Sequence, residues 1–600
     1  MPRDPEQSVL GAVSPSRLME YTRGLSRWVR MSGGQDEAKA FDYLETVLQG
    51  FGLDVHRHHH DALVSWPGPA SLEVAEIPLQ HVECITHAFA VSTPAGGLDA
   101  EVVDVGTGEF AQAQIHGKIA LVDGLATPVR ARAAEEAGAV GLIFINPSRL
   151  HEMIISTVWG APTPETLGDL PKIVAVSVRE PDGAVLRARA RENSLRVRMQ
   201  AEVDTRWRLT PLLIADLPGW NEPDRYVLFS GHVDSWHYGA MDNGSANAVM
   251  VEMARILSRR RRRLRRGIRF AFWSGHSHGR YSGSTWYADT HWDDLYHHAV
   301  LHINVDSTGA VGATVLSEAE TMAETWRLAA RCIKDVCGQN LERRRISRMG
   351  DQSFWGIGLP SMFVGLSAQP ADESAAASAL ASLSGQVSKT GGLGWWWHTP
   401  EDTLDKIDRS NLRRDAQVYV LSLWRWCTAP VLPLDYEATA AELRDVLRAL
   451  QNSAGDDVDL SPAVAAVERL VAAAGRLNAA SERVGTPLAA ARGTRKQRDA
   501  AQVLNTALTR IGRTLIPVMY TAAGPFDHDR AVPVPPVPAL QPAVRLRTLP
   551  AGSMEYRALH TRLLRERNKV IHAINTATEI IESALLRING RGTRSDHDTG

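Results

Sequence analysis

The stretches RYVLFSGHVDSW (225–236) and GAMDNGSANA (239–248) decide how this 600-residue chain is read. The first opens as an apolar strand and breaks at Gly231 into a loop that carries His232 and Asp234. The second puts Asp242 at the mouth of a helix running from about 243 to 258, in which Ala246, Val249, Met250, Met253 and Leu257 form one apolar stripe. Strand and polar loop recur in IRFAFW (268–273) and AVLHINVDSTG (299–309). This alternation predicts a mixed, largely parallel α/β sheet flanked by helices. Ligands bind such sheets beyond the carboxyl ends of the strands. His232, Asp234, Asp242 and Asp306 all fall there, and His398 follows on the loop GGLGWWWHTPEDT (391–403).

Imidazoles and carboxylates in this combination suit zinc, and a carboxylate shared by two cations holds them a few ångströms apart. Such a pair hydrolyses amides by acidifying water and polarising the carbonyl under attack. Asp234, two residues beyond His232, is placed to accept that imidazole's second N–H and fix its orientation.

The order His-x-Asp, Asp-Asn, Asp followed by Gly, and HTPEDT resembles the co-catalytic zinc aminopeptidase and carboxypeptidase family. HGKIALVDG (116–124) followed by PVRARAAEEAGAVGLIFINP (128–147) resembles a protease-associated domain, which carries no catalytic groups and implies a lid or a substrate-shaping wall. With a helical tail, the whole is most similar to the branch containing glutamate carboxypeptidase and the transferrin receptor. GDQSFWGIGLP (350–360) resembles a loop of that family beside its active site. The resemblance implies a phosphorylase/hydrolase-like core with a protease-associated insertion and a C-terminal helical domain. It also implies about two zinc ions per chain, with His232 and Asp306 on one, Asp242 bridging and His398 on the other, and a cis peptide after Asp242.

The chain departs from that pattern after IRFAFW. Where the family has a Glu-Glu pair, general base then ligand, this sequence reads SGHSHGRYSGS (274–284). Counted from Trp273, His276 falls on the base and Ser277 on the ligand; counted back from Gly283, Ser277 falls on the base and His278 on the ligand. A hydroxyl is a poor zinc ligand and imidazole a good one. The expectation is therefore one ligand beside His398, with His278 taken for that role, and one base, His276, the assignment remaining open. Imidazole in place of carboxylate adds one positive charge, which favours an anionic substrate or a metal such as iron. The family tyrosine before the last histidine is Trp397 here, leaving oxyanion stabilisation to the metals or to a donor such as Tyr281 or Arg280. Two functions follow: a metal-dependent hydrolase of a small peptide, N-acyl or amide compound, and a catalytically silent scaffold of the transferrin-receptor kind.

Composition bounds the rest. Lys and Arg number 66 against 68 Asp and Glu, which gives no argument for nucleic acid or an anionic membrane, and the RRRRRLRR run (259–266) reads as a solvated helix end. Four scattered cysteines fit a reducing compartment, and the start lacks a basic-then-apolar leader, so the expected location is cytoplasmic. The expected segments are 14–75, the first part of the peptidase-like domain; 76–205, the insertion; 206–432, the catalytic domain; and 433–600, a helical domain expected to mediate a homodimer. His58, His59 and His60 read as a solvated strand edge, and 524–546 as an extended proline-rich connector. The last helix carries Val570, Ile574, Ala577, Ile581 and Leu585 on one face. That stripe needs a partner, within the subunit or across a homodimer axis.

Overall fold

The structure, a computed structural model, describes residues 4–590 except 75–81, 109, 111, 193–194, 382, 384 and 491. The expected boundary at 75/76 and the tail 591–600 lie outside the described residues. Two long strands organise the fold: β1 (Asp54–Val74) pairs antiparallel with β2 (Arg196–Leu217) along nearly their whole lengths. One end of this ribbon joins the main sheet, where Leu213–Leu217 pair with Ile268–Phe272. The other end joins the insertion, where Arg196–Met199 pair with Leu98–Glu101. Between them the insertion builds its own parallel strands, Ile119–Asp123, Gly141–Asn146 and Val174–Arg179, over a separate apolar core.

In the main sheet β3 (Glu222–His232) lies between β4 (Arg266–Trp273) and β5 (Ala299–Asn304), all three parallel. Their near-continuous apolar text follows from burial on both faces. The helix after β3, α1 (Ala246–Ser258), is buried over almost its whole length. Because β3 is central, its carboxyl end opens beside those of β4 and β5, and the three following loops are forced together.

Helix α2 (Arg409–Thr428) packs under this sheet and leads into the tail helices α3 (Tyr436–Ala454), α4 (Ser461–Ala489), α5 (Arg495–Tyr520) and α6 (Met554–Gly590). The α6 stripe finds its partner within the chain: Val570, Ile574, Ala577, Ile581 and Leu585 are buried, with α6 packed on α4 and α5. Part of the expected extended connector is instead a 3₁₀ turn, Pro538–Thr548. Two other expectations are corrected by burial. His60 is inside, stacked on Trp286 at 5.1 Å, and Arg266 of the basic run is fully buried against Glu222 and the carbonyls of Trp426 and Ala429. Among the described residues no helix is long and apolar enough to cross a membrane.

The tail meets the main α/β body through a buried acid. Glu324 accepts the Thr439 hydroxyl of α3 at 2.7 Å, while its other oxygen, Oε1, has no partner. Burial pushes its carboxyl up from 4.5 to about 7. A raised folded value makes the contribution to stability greatest below pH 4.5 and lost as pH rises through about 7. Thermal melting of Glu324→Gln should therefore match wild type at low pH and exceed it above pH 7; a constant difference across pH would contradict this.

Candidate metal centre

Four side chains from separate segments meet beyond the strand ends. His232 Nε2 lies 3.1 Å from Asp242 Oδ1 and 3.7 Å from Asp306 Oδ2, and His398 Nε2 lies 3.1 Å from Asp242 Oδ2. The two Asp242 oxygens thus face one imidazole each, as a bridging carboxylate would. His232 Nε2 and Asp242 Oδ1 are close, yet neither makes a well-directed hydrogen bond and both are buried. Donors that converge on a shared point without bonding to each other fit a cation. Burial alone would raise the Asp242 carboxyl, but the imidazoles of His232 and His398 outweigh it and hold it well below the usual range.

The backbone around these groups is fixed by named bonds. Asn243, joined to Asp242 by a cis peptide as expected, donates its side-chain amide to the carbonyls of His232 and Val305 and accepts the Ser307 N–H at 3.0 Å. It therefore ties together the segments that carry His232, Asp242 and Asp306. Asp402, from HTPEDT, accepts the N–H groups of Met241 and Asp242 at 2.9 and 3.0 Å. His398 and Ser307 hold left-handed backbone angles of 58° and 48°, a conformation that surrounding bonds must enforce.

Tautomers follow from the second ring nitrogen. His232 Nδ1 donates to the Asp234 carbonyl at 2.9 Å and His398 Nδ1 to the Glu152 carbonyl at 2.6 Å, so each turns Nε2, the atom a metal would take, toward the site. Asp234 orients His232 as expected, but through its backbone oxygen; its carboxylate, Oδ1 3.8 Å from the ring, has another task. It accepts the N–H groups of His276 and Ser277 and the Ser32 hydroxyl, and so shapes the atypical loop.

That loop separates the two histidines left open by the sequence. His276 joins the site: its ring stacks on His232 at 3.7 Å and 11°, its Nδ1 meets buried Asp351 at 3.0 Å, and it forms with His232 and Asp306 a group able to hold an ion. His278, the expected ligand, does not enter that group of three. The Ser65 N–H of β1 draws the His278 carbonyl at 2.8 Å and turns the side chain toward Trp236, whose ring is 4.3 Å away. Its Nδ1 meets the Ser32 hydroxyl at 3.1 Å and the Ser32 N–H at 3.4 Å, and its buried Nε2 has no hydrogen-bond partner. Burial holds its pKa at about 4, so the ring is neutral.

Other groups escaped the sequence reading. Asp351 lies in GDQSFWGIGLP, but nothing in the text pairs it with His276. The insertion contributes too: His151 Nδ1 donates to the Trp397 carbonyl at 2.6 Å, and the Glu152 N–H donates to the His398 carbonyl at 3.0 Å. Trp397 stacks on His398 at 3.4 Å, and of the tryptophan run Trp396 and Trp397 are buried while Trp395 is exposed. A cavity of about 590 Å³ opens onto the site, bounded by Asp242, His276, Asp306 and His398, by Pro128 and Val129 of the insertion, and by Val532 and Pro533 of the tail.

Comparison with known proteins finds similar families and structures. Residues 213–422 match Peptidase family M28 and residues 88–186 match the PA domain. The chain is 23% identical over 500 residues to a probable glutamate carboxypeptidase of Zea mays, covering 71% of this chain and 69% of that protein. It is 29% identical over 289 residues to the aminopeptidase NAALADL1 of Rattus norvegicus, covering 44% of this chain and 38% of that one. Among solved structures, a Peptidase M28 precursor of Shewanella amazonensis superposes with a TM-score of 0.56 at 21% identity, over 71% of this chain and 97% of that one. A zinc aminopeptidase of Bacillus subtilis gives 0.52 at 20%, over 69% and 95%. The fold and the matched segments agree: residues 213–422 are similar to Peptidase family M28, and the preceding segment 88–186 is similar to the PA domain.

Proposed function

We propose that the chain is a metal-dependent hydrolase that cleaves the C–N bond of a small peptide or N-acyl compound. The observation that carries this reading is the convergence of His232, Asp242, Asp306 and His398, with buried donor atoms left without partners of their own. A catalytically silent scaffold is disfavoured, because buried acids facing one another are costly unless a cation neutralises them. Zinc bound there supplies Lewis acidity, which acidifies water and polarises an amide carbonyl.

The chain's own residues do the rest. Asp351 holds His276 with Nδ1 protonated, so Nε2 faces the site with a free lone pair and takes the proton from the attacking water. That histidine stands in for the carboxylate base expected at its position. His151 and Glu152 hold the Trp397–His398 backbone, which makes the insertion a support of the metal ligand as well as a wall. Apolar side chains along the cavity, Val129 and Leu380 among them, exclude water beside the reacting bond.

Removal of metal with a chelator should abolish hydrolysis of N-acyl dipeptides, and added zinc should restore it; chelator-resistant turnover would contradict the reading. His276→Ala should lower turnover by about 10²- to 10⁴-fold with metal content unchanged. Loss of metal in that variant would make His276 a ligand instead, and metal loss in His278→Ala would overturn the placement of His278. For the insertion, His151→Phe should weaken zinc binding by about tenfold in a competition titration with a chromogenic chelator. Unchanged affinity would limit the insertion to a wall.

A further inference from the structure

The fully buried guanidinium groups of Arg30, Arg348 and Arg513 are well supplied with acceptors, although the Nε atoms of Arg57, Arg344 and Arg567 also lack a hydrogen-bond partner. Arg30 donates to carbonyls of Leu25, Trp28, Val233, Tyr238 and Gly239. Arg513 donates to four carbonyls, and Arg348 to those of Asp529 and Arg530 with the Trp159 ring 4.0 Å away. Arg280 differs. It lines the cavity with Asp242, His276, Asp306 and His398, yet its one hydrogen bond runs from Nη2 to the Ala531 carbonyl at 3.2 Å. Its Nε is buried without a hydrogen-bond partner, its guanidinium carbon lies 5.0 Å from the centre of the Tyr281 ring, and among the described residues no carboxylate stands within ion-pair reach.

The backbone holds this group still. Arg280 and Tyr281 both have left-handed angles, 47° and 69°, enforced by the Gly160 N–H on the Arg280 carbonyl at 2.7 Å and by Trp159 packed on the Tyr281 ring at 4.2 Å. A fixed cation with an unused donor beside a hydrolytic centre is a site for an anion. The cavity offers no equivalent for an ammonium group. Asp242 and Asp306 belong to the metal centre, Glu318 is taken by Arg344, Ser388 and the Lys389 N–H, and Glu320 by the backbone and hydroxyl of Ser347.

We infer that Arg280 binds the free carboxylate of the substrate, so that the enzyme recognises the acid end of a short N-acylated peptide and not an amine end. The inference rests on the hydrolytic reading of the neighbouring centre. The relatives do not decide it, since their names include both a carboxypeptidase and an aminopeptidase.

The test compares zinc-loaded wild type with Arg280→Gln, which removes the charge and keeps most of the side chain's length. The substrates are N-benzoyl-glycyl-L-leucine, its C-terminal amide, and leucine p-nitroanilide. Wild type should favour the free acid over the amide by on the order of 10- to 100-fold in kcat/KM, and in Arg280→Gln the ratio of acid to amide should fall to about one, through a higher KM for the acid. Calorimetric titration with N-benzoyl-glycine and its amide reads the same ratio without turnover. Failure of the hydrolytic reading would leave this binding preference measurable, and so would be distinguishable. An unchanged acid preference in Arg280→Gln, no preference in wild type, or efficient cleavage of the p-nitroanilide would overturn the inference.

Discussion

The site depends on Asp242, a buried carboxylate held between two imidazoles. Its oxygens lie 3.1 Å from His232 and from His398, and Asp306 brings a second acid to the same place. Burying one carboxylate is expensive and burying two side by side is more so, unless positive charge lies between them. Imidazolium can supply part of it, since against burial Asp242 and Asp306 hold His232 well above its usual pKa, while its Nδ1–H stays on the Asp234 carbonyl and leaves Nε2 as the atom a metal would take. A cation completes the balance. Much of the surrounding structure serves this requirement: the Asn243 amide joins three ligand segments, and Asp402 pins the turn before Asp242.

The atypical loop changes the chemistry without dismantling that centre. Asp234 keeps the loop in place with two backbone N–H bonds and does not discriminate between histidine and other residues at 276. Selection of His276 over His278 comes from the strand side. Ser65 of β1 takes the backbone of 278 and Ser32 meets its ring, so His276 stacks on His232 while His278 packs beside Trp236. The neighbouring Asp351 gives His276 a carboxylate partner, a dyad suited to proton transfer.

The sequence made the core of this account legible because strand and helix periods put His232, Asp242 and Asp306 at equivalent ends of parallel strands. His398 was legible from HTPEDT through the resemblance. What stayed hidden depends on tertiary contact at long separation. Asp351 is 75 residues from His276, and His151 and Glu152 are 246 residues from the loop they hold. Local text carries no signal for such pairs. The His276/His278 ambiguity was of the same kind, since one extra residue in the loop shifts the alignment and only the bonds of Ser32 and Ser65 fix the register. His60 and Arg266 misled for a simpler reason: a polar run reads as solvated, whereas each lies against a specific partner inside.

The most direct measurement of the central claim is anomalous scattering at the zinc edge from crystals grown with zinc. The account predicts a peak in contact with His232 Nε2, Asp242, Asp306 and His398, with Asp242 carrying metal on at least one oxygen. A map without a peak, with His232 hydrogen-bonded directly to Asp242 in its place, would contradict it.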